Sequence, residues 1–228
     1  MPDHMVIVVL AVGLLVAFLI YKGTLSAREA RGEKRRGLRA LGFEPVASLP
    51  PDVAEAILAL HQQGKKPEHT IGEAFERRGS ADELYLYDLR SKSGDSVRHG
   101  VIAIRSPRLK LPRMTIFPRL EGEGRLSALG NLLIKKLGQR HGRTLDFAAH
   151  PHFARRHFVS GANEQPIRRF LTDRRLDRLA EMKHMGVETD GDLFTYEEIH
   201  FGRRKHEGPR ARTAHDVERA EELLRVFG

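Results

Sequence analysis

The chain has 228 residues, and its 39 Lys and Arg against 30 Asp and Glu give a formal net charge of +9. Residues 40–228 are enough for a globular domain with a sizeable core, and we expect one such domain. The absence of cysteine excludes disulfides, thiolate metal sites and cysteine redox chemistry, and it is compatible with a reducing cytoplasm.

The first predicted element, residues 1–21, is a membrane anchor with a short N-terminus outside. Its run Met5–Tyr21 has no side chain that is charged at neutral pH. A helix of that length rises roughly 25 Å, at the short end of what crosses a bilayer core. A cleaved secretory signal would need a basic segment before the apolar run, but Met1–His4 contains Asp3 and no Lys or Arg. We therefore predict an uncleaved anchor.

Residues 22–42 form a basic juxtamembrane connector, which is predicted to be partly helical. Lys and Arg outnumber Glu in it, so the positive-inside rule predicts a single-pass protein of the inner membrane, with the N-terminus outside and the C-terminal domain in the cytoplasm. Basic side chains at this position bind anionic headgroups with on the order of 1 kcal/mol each. The residues predicted to make this contact are Lys22, Lys34, Arg35, Arg36 and Arg39.

The rest of the positive charge is concentrated in residues 203–212, which leaves the compact part of the chain nearly balanced. Its aromatic residues, such as Phe147, Phe153 and Phe158, fit core positions better than an exposed stacking platform. We therefore do not expect nucleic-acid binding, because anionic lipid is the simpler partner for basic residues beside a membrane.

An α+β domain is predicted over residues 43–202. It begins with a helix that Pro50 and Pro51 open, and the apolar residues of this helix follow helical spacing as far as Leu60. A linker rich in Ser then predicts a hairpin between the second and third of four strands. These four strands are Thr70–Glu76, Glu83–Arg90, Val97–Ser106 and Met114–Pro118.

The second half of the domain alternates helices and strands. After Pro166 the apolar spacing breaks at Thr172-Asp173, so two short helices fit as well as one. Asp190-Gly191 predicts a tight hairpin. The order as a whole predicts a mainly antiparallel sheet covered by amphipathic helices. The other elements are a helix over Arg125–Leu137 and strands at Thr144–Ala148, His157–Ser160, Val187–Thr189 and Leu193–Phe201.

A basic linker, residues 203–212, and an amphipathic helix, residues 213–228, are predicted at the C-terminal end. An apolar helical stripe must be covered, and we expect this one to dock on its own domain. The alternative is that it covers a partner protein or a second copy of the chain. The stripe consists of Val217, Ala220, Leu224 and Phe227.

Four short segments of the domain form a recognisable set, which is Ser106–Met114, Leu145–Phe147, His150–Phe153 and Phe158–Gly161 followed by Glu164. They resemble a widespread family of uncharacterised bacterial single-pass membrane proteins, and the similarity covers residues 50–201. The resemblance implies an apolar N-terminal helix followed by one cytoplasmic α+β domain. It implies no enzyme activity and no catalytic residues.

Three histidines form the first candidate for chemistry. His150 and His152 are two positions apart and His157 follows, and such clusters can bind zinc. Pro151 between the first two instead favours a turn or a strand edge. We expect a corner of the fold here, and we predict neither a metal site nor a cofactor.

Three further motifs favour structure over chemistry. Gly122-Glu123-Gly124 precedes a predicted helix but lacks the Gly-Lys-Ser/Thr ending of a phosphate-binding loop. Asp190-Gly191-Asp192 has the spacing of a metal-binding pair, yet it lies where a hairpin turn is expected. Ser160-Gly161 has no base partner that spacing identifies, although a triad assembled from distant residues stays open.

Five arginines, Arg168, Arg169, Arg174, Arg175 and Arg178, form the last cluster. A solvated helix face paired with neighbouring acidic residues is the expected role, and a partner or phosphate surface is the alternative.

Two function hypotheses follow. The first is a membrane-tethered, non-catalytic interaction domain that contacts anionic lipid and binds a protein partner or a second copy. The second is a membrane-anchored enzyme with a dispersed active site for a lipid or envelope-related substrate.

Overall fold

The computed structural model describes residues 32–62, 69–79, 81–94, 96–120, 142–199 and 209–228. The predicted anchor over residues 1–21, the start of the connector and the predicted helix Arg125–Leu137 lie outside these ranges. Within the described ranges, no helix is both long and apolar enough to cross a membrane. The chain divides into two compact units, Met1–Gly42 and Phe43–Gly228.

The described part of the first unit contains one helix, α1, over residues 32–40. The chain leaves it through a tight turn, in which the N–H groups of Leu41 and Gly42 donate to the carbonyl oxygens of Leu38 and Arg39 at 3.0 and 2.9 Å. The predicted connector is therefore helical in its second half.

The second unit has an α+β architecture. Its described strands are β1 Glu44–Val46, β2 His69–Arg78, β3 Glu83–Ser91, β4 Val97–Arg105, β5 Leu111–Pro118, β6 Arg143–Leu145, β7 His157–Gly161, β8 Met185–Gly191 and β9 Leu193–Glu198. Its described helices are α2 Pro51–His61, α3 Pro151–Arg156, α4 Glu164–Phe170, α5 Asp173–Ala180 and α6 Pro209–Phe227.

The strands form one nine-stranded sheet in the order β1-β2-β3-β4-β9-β8-β5-β7-β6. Every pair of neighbours is antiparallel, as the sequence predicted. The centre of the sheet is the pairing of β4 with β9, in which Ile104 lies opposite Phe194. Strands that are far apart in sequence therefore meet in the middle of the sheet.

One face of the sheet, the α2 face, is covered by α2. Pro51 lies in the first turn of this helix, where its fixed φ is favourable. The helix buries Val53, Ile57 and Leu60 against side chains of β3 and β4 that include Tyr85. Residues spaced at i, i+4 and i+7 share one side of a helix, so the apolar spacing in the sequence accounts for this packing.

The opposite face, the α6 face, is covered by α6, which contacts β4, β9 and α5. Phe227 meets Phe194 of β9 edge-on with 5.4 Å between ring centroids, and it packs equally close to Phe170 of α4. Leu193 points to α2, and Phe194 points the other way because successive residues of a strand alternate. The C-terminal helix thus docks on its own domain, as expected.

The register of that helix corrects the predicted stripe. Leu223 is fully buried, whereas Leu224 is only half-buried. The predicted boundaries of the linker, residues 203–212, and of the helix, residues 213–228, were also wrong, because the helix begins at Pro209. Proline fits the first turn of a helix, because its fixed φ is favourable there.

Two further elements differ from the sequence prediction. The strand expected at Thr144–Ala148 is Arg143–Leu145, and the corner expected after Asp146 contains the short helix Pro151–Arg156. Its first residue is again a proline, and only Phe153 of its six residues is buried. A single buried residue gives no periodic signal.

The sheet is irregular around Asp88 in the middle of β3. Between the residue pairs that flank Asp88, β4 contributes two residues, His99 and Gly100, and β2 contributes Gly72 and Glu73. Each neighbour therefore has a bulge at the same level. Bulges bend a strand and re-aim its side chains, so this end of the sheet departs from regular alternation.

Candidate functional site

Four of the five predicted lipid contacts lie in α1, and Lys22 lies outside the described residues. Arg35, Arg36 and Arg39 are exposed, whereas Lys34 is half-buried. At about 100° per residue, the three exposed arginines fall within an arc of about 100° on the helix. They form one basic side of α1.

A polar group that the sequence did not reveal lies on the α2 face. It joins His61 at the end of α2 to Tyr87 of β3, Arg98 of β4, Glu188 of β8 and Glu197 of β9. We call these five residues the His61 cluster. Its side chains come from four neighbouring strands and from the helix that crosses them, so the tertiary fold creates the cluster.

Hydrogen bonds orient the imidazole of His61 from both sides. Nδ1 lies 3.1 Å from Oε1 of Glu188, and Nε2 lies 2.9 Å from the hydroxyl oxygen of Tyr87. A carboxylate can only accept, so Nδ1–H donates to Glu188, and in the neutral imidazole the Tyr87 hydroxyl donates to Nε2. Burial raises the pKa of Tyr87 well above its usual range. The three groups form a chain of carboxylate, imidazole and phenol.

Arg98 joins the two carboxylates of the His61 cluster. Its Nε donates to Oε2 of Glu197 at 2.8 Å, its Nη2 contacts the other oxygen of Glu197, and its Nη1 lies 3.7 Å from Oε1 of Glu188. Burial by itself would lower the pKa of Arg98, but the charges of Glu197 and Glu188 outweigh burial and raise it. The guanidinium is therefore permanently charged.

The interior of the cluster is closed to solvent. The His61 side chain has no exposed area and that of Glu188 is 6% exposed, whereas Arg98 is 34% exposed. The cross-strand neighbours of Glu188 are Thr115 and Thr195, and both are buried. Within the described residues, the exposed part of the cluster is therefore its Arg98 and Glu197 end, where Glu197 is 20% exposed.

No local signal could have identified this cluster. His61 and Glu188 are 127 positions apart, and His61 and Tyr87 are 26 apart. Glu188 lies in the predicted strand Val187–Thr189. A charged side chain in a strand normally faces solvent, so the sequence gives no sign that Glu188 is buried. Only the register of β8 against β9 and β5 turns it towards α2.

The three predicted histidines do not meet at one point. His150 precedes α3 and pairs with Asp173 at 3.3 Å, and His152 is exposed on α3. His157 is buried in β7, where its Nε2 donates to the carbonyl oxygen of Leu179 at 3.2 Å. Burial lowers the pKa of His157 to about 4. All three have structural positions, although a helix replaces the expected turn.

The Asp-Gly-Asp motif is a two-residue hairpin turn. Asp190 pairs with Leu193 across it, and Gly191 has φ 61 at the first central position, where glycine is favoured. The two carboxylates bind different arginines. Asp190 lies 3.7 Å from Arg113, and Asp192 accepts from Nε of Arg105 at 2.9 Å.

Of the other two motifs, the structure describes one. Ser160 is buried in β7 opposite Thr115 of β5. Gly122-Glu123-Gly124 lies outside the described residues.

The five arginines of α4 and α5 have separate roles. Arg168 donates to Glu164 at 2.6 Å and lies over the ring of Phe147. Arg175 donates to the carbonyl oxygens of Phe170, Val226 and Phe227 at 2.8 to 3.0 Å. Arg175 thereby caps the C-terminal ends of two helices, which corrects the expected pairing with acidic neighbours. The remaining three, Arg169, Arg174 and Arg178, are exposed.

In the part of the chain that the structure describes, no three His, Asp or Glu side chains are grouped so as to hold a metal ion. Comparison of the chain with protein-family models, with curated proteins and with solved structures gives no match.

Proposed function

We propose that this protein is a membrane-tethered, non-catalytic interaction domain that lies on the cytoplasmic side of the inner membrane. Residues 1–21 would be its single-pass anchor, and the basic side chains of the connector would bind anionic lipid. The domain Phe43–Gly228 would then present its surface to a protein partner or to a second copy of the chain.

The observation that carries the proposal is the basic side of α1. A helix with Arg35, Arg36 and Arg39 exposed on one arc follows the apolar run Met5–Tyr21 by about ten residues. Three arginines near an anionic surface contribute on the order of 3 kcal/mol, which is roughly a hundredfold in affinity. A contact of this strength would hold α1 at the headgroups.

The lipid contact can be tested with a fluorophore at the end of α1. Since the chain has no cysteine, Ala40→Cys gives a single labelling site for a polarity-sensitive dye. The labelled full chain is placed in nanodiscs of phosphatidylcholine with or without phosphatidylglycerol. We expect blue-shifted emission only with the anionic lipid, and loss of the shift in 0.5 M NaCl, because salt screens exposed charges.

Charge reversal supplies the matched control. Arg35→Glu with Arg36→Glu and Arg39→Glu should abolish the shift. Arg169→Glu with Arg174→Glu and Arg178→Glu makes the same change of charge at exposed positions of α4 and α5, and it should leave the shift in place. The contact through α1 would be refuted if the emission were the same with and without anionic lipid, or if both triple variants changed it equally.

Orientation is tested separately. A reporter fused after Gly228 should be active as a cytoplasmic fluorescent protein and inactive as alkaline phosphatase. Phosphatase activity would place the domain on the other side of the membrane and would remove the argument for the cytoplasmic leaflet.

A second candidate function is a membrane-anchored enzyme with a dispersed active site, acting on a lipid or envelope-related substrate. The observation that favours it is the presence of histidines oriented by carboxylates on both faces of the sheet. His61 is oriented by Glu188 but closed to solvent. The side chain of His99 is 70% exposed, and its Nδ1 lies 3.1 Å from Oδ2 of Asp88.

A further inference from the structure

Four arginines in the described part of the chain lie over phenylalanine rings. Stacking uses the flat face of a guanidinium and leaves its N–H donors, which lie in the guanidinium plane, open to acceptors. The partners of these donors therefore show what each arginine does. The four pairs are Arg77 with Phe43, Arg119 with Phe158, Arg168 with Phe147 and Arg175 with Phe170.

Three of these arginines have acceptors for their terminal nitrogen atoms. Nη2 of Arg77 contacts the carboxylate of Glu221. Nη2 of Arg168 and Nη2 of Arg175 donate to backbone carbonyl oxygens at 2.9 and 2.8 Å. The ring contact and the terminal hydrogen bonds together give these three side chains structural roles within the fold.

Arg119, which directly follows β5, is arranged differently. Its Cζ lies 3.8 Å from the ring centroid of Phe158, compared with 4.2 to 5.2 Å in the other three pairs. Its Nε donates to the carbonyl oxygen of His157 at 3.1 Å, and the residue is half-buried. Within the described residues, its Nη1 and Nη2 have no hydrogen-bond partner. The guanidinium is therefore fixed in orientation while its terminal donors are unused.

Positive charge is concentrated around the start of β7, beside Arg119. Burial is the main cause of the low pKa of His157, and the charges of Arg156, Arg119 and His184 lower it further. Burial also lowers the pKa of Arg119 itself, while the charge of Asp146 acts in the opposite direction. No ion pair joins Arg119 to Asp146 in the described ranges. Arg119 is thus partly removed from water without a carboxylate in contact, and a bound anion would compensate that cost.

We infer that Arg119 is the centre of a binding site for a phosphate group, carried by a soluble phosphate ester or by a lipid headgroup. The planar fork of Nη1 and Nη2 can bind two oxygens of a phosphate at once. The further positive charge of Arg156 and His184 favours a doubly charged phosphate over a singly charged carboxylate. The site adds a ligand to the proposed interaction domain. It requires no catalysis, and it is independent of the lipid contact through α1.

Calorimetric titration of inorganic phosphate into the full chain in mild detergent tests the site, with the ionic strength held constant by NaCl. We expect saturable binding that Arg119→Gln weakens about tenfold or more, because a charged two-oxygen contact is lost. Arg168→Gln is the matched control, since Arg168 also lies over a phenylalanine ring but has acceptors for its donors. It should leave the affinity within about twofold. Absence of saturable binding, or equal losses in the two variants, would overturn the proposal.

A second measurement, on the wild-type chain, covers the case in which Arg119→Gln fails to fold. In ¹H–¹⁵N correlation spectra, the Nε–H groups of the arginine side chains give separate signals. Added phosphate should shift the signal of Arg119 and leave that of Arg168 in place. Equal shifts of both signals, or an unmoved Arg119 signal, would refute the site.

Nanodiscs distinguish the two sources of the phosphate group. The phosphate titration is repeated in nanodiscs of phosphatidylcholine with or without phosphatidic acid, whose headgroup is a phosphate monoester. Displacement of inorganic phosphate from Arg119 by phosphatidic acid would identify a lipid headgroup as the ligand, and an unchanged phosphate affinity would identify a soluble ester. Arg35→Glu with Arg36→Glu and Arg39→Glu should leave phosphate binding in detergent unchanged. Failure of the phosphate site and failure of the lipid contact through α1 are therefore separable.

Discussion

The two faces of the sheet bury very different groups. Under α2, the His61 cluster places one imidazole, one guanidinium and two carboxylates among apolar side chains. Under α6, the ring of Phe227 contacts those of Phe194 and Phe170 at 5.4 Å between centroids, and the Arg175 guanidinium covers the outer ring, Phe170, at 4.2 Å. The α2 face therefore combines an apolar core with charged groups whose partners are specified atom by atom, whereas the contact under α6 is mainly apolar.

The difference shows what each face contributes. Apolar contacts tolerate small shifts, because their free energy follows buried area. A buried ion pair adds little net stability compared with an apolar replacement, but removal of one partner is costly because a charge stays behind. The α2 face therefore adds specificity of register to its own apolar core, whereas the contact under α6 stabilises the sheet mainly through buried area. Three measurements test this contrast.

The largest expected effect is from Glu188→Ala. It leaves His61 without its acceptor and Arg98 with one carboxylate, so the free energy of unfolding should fall by about 4 kcal/mol. Urea unfolding of the chain in mild detergent measures it. Glu181→Ala removes an exposed carboxylate and should change the value by less than about 0.5 kcal/mol. Equal effects from the two variants would show that Glu188 contributes no more to stability than an exposed carboxylate does.

The next effect comes from the α6 face, where two adjacent leucines form a matched pair. Leu223→Ala should lower the free energy of unfolding by about 3 kcal/mol, because it empties a fully buried site. Leu224→Ala, at a half-buried position, should cost less than about 1 kcal/mol. The reverse order would place α6 one residue out of the register described here.

The smallest effect is the response of His157 to pH. The pKa of this histidine is lowered to about 4 in the folded protein from 6.5 when unfolded. The unfolded state therefore binds the proton more readily between these values, and stability falls as pH falls. Unfolding free energy should be about 2 kcal/mol lower at pH 5 than at pH 7. His157→Phe should remove that part of the pH dependence, and an unchanged slope would assign it to other groups.

Much of the fold could be predicted from local patterns. Apolar runs bounded by turn residues located most of the strands, and several of these strands are buried on both faces. Pro50 and Pro51 also located the start of α2, because proline is favoured in the first turn of a helix. The prediction failed where the local signal was ambiguous, as at Leu223 and Leu224, since either leucine completes an apolar stripe and only packing selects one.

The sites were less accessible to such reasoning. A charged residue in a strand is expected to face solvent, so Asp88 and Glu188 gave no signal of burial. Their partners are set by bulges and by strand register, which depend on the whole sheet. The basic residues of α1 could be selected as candidates because charge and spacing are local properties of a helix.

The central pairing of β4 with β9 has a consequence for biosynthesis. Strand β4 ends at Arg105 and β9 begins at Leu193, so roughly 90 residues must be added before the partner of β4 exists. At ribosomal speeds this takes on the order of 10 s. During that time the nine residues of β4 present an open apolar edge, which is the kind of surface that recruits other strands. The nascent chain should therefore depend on chaperones most strongly between the emergence of β4 and that of β9.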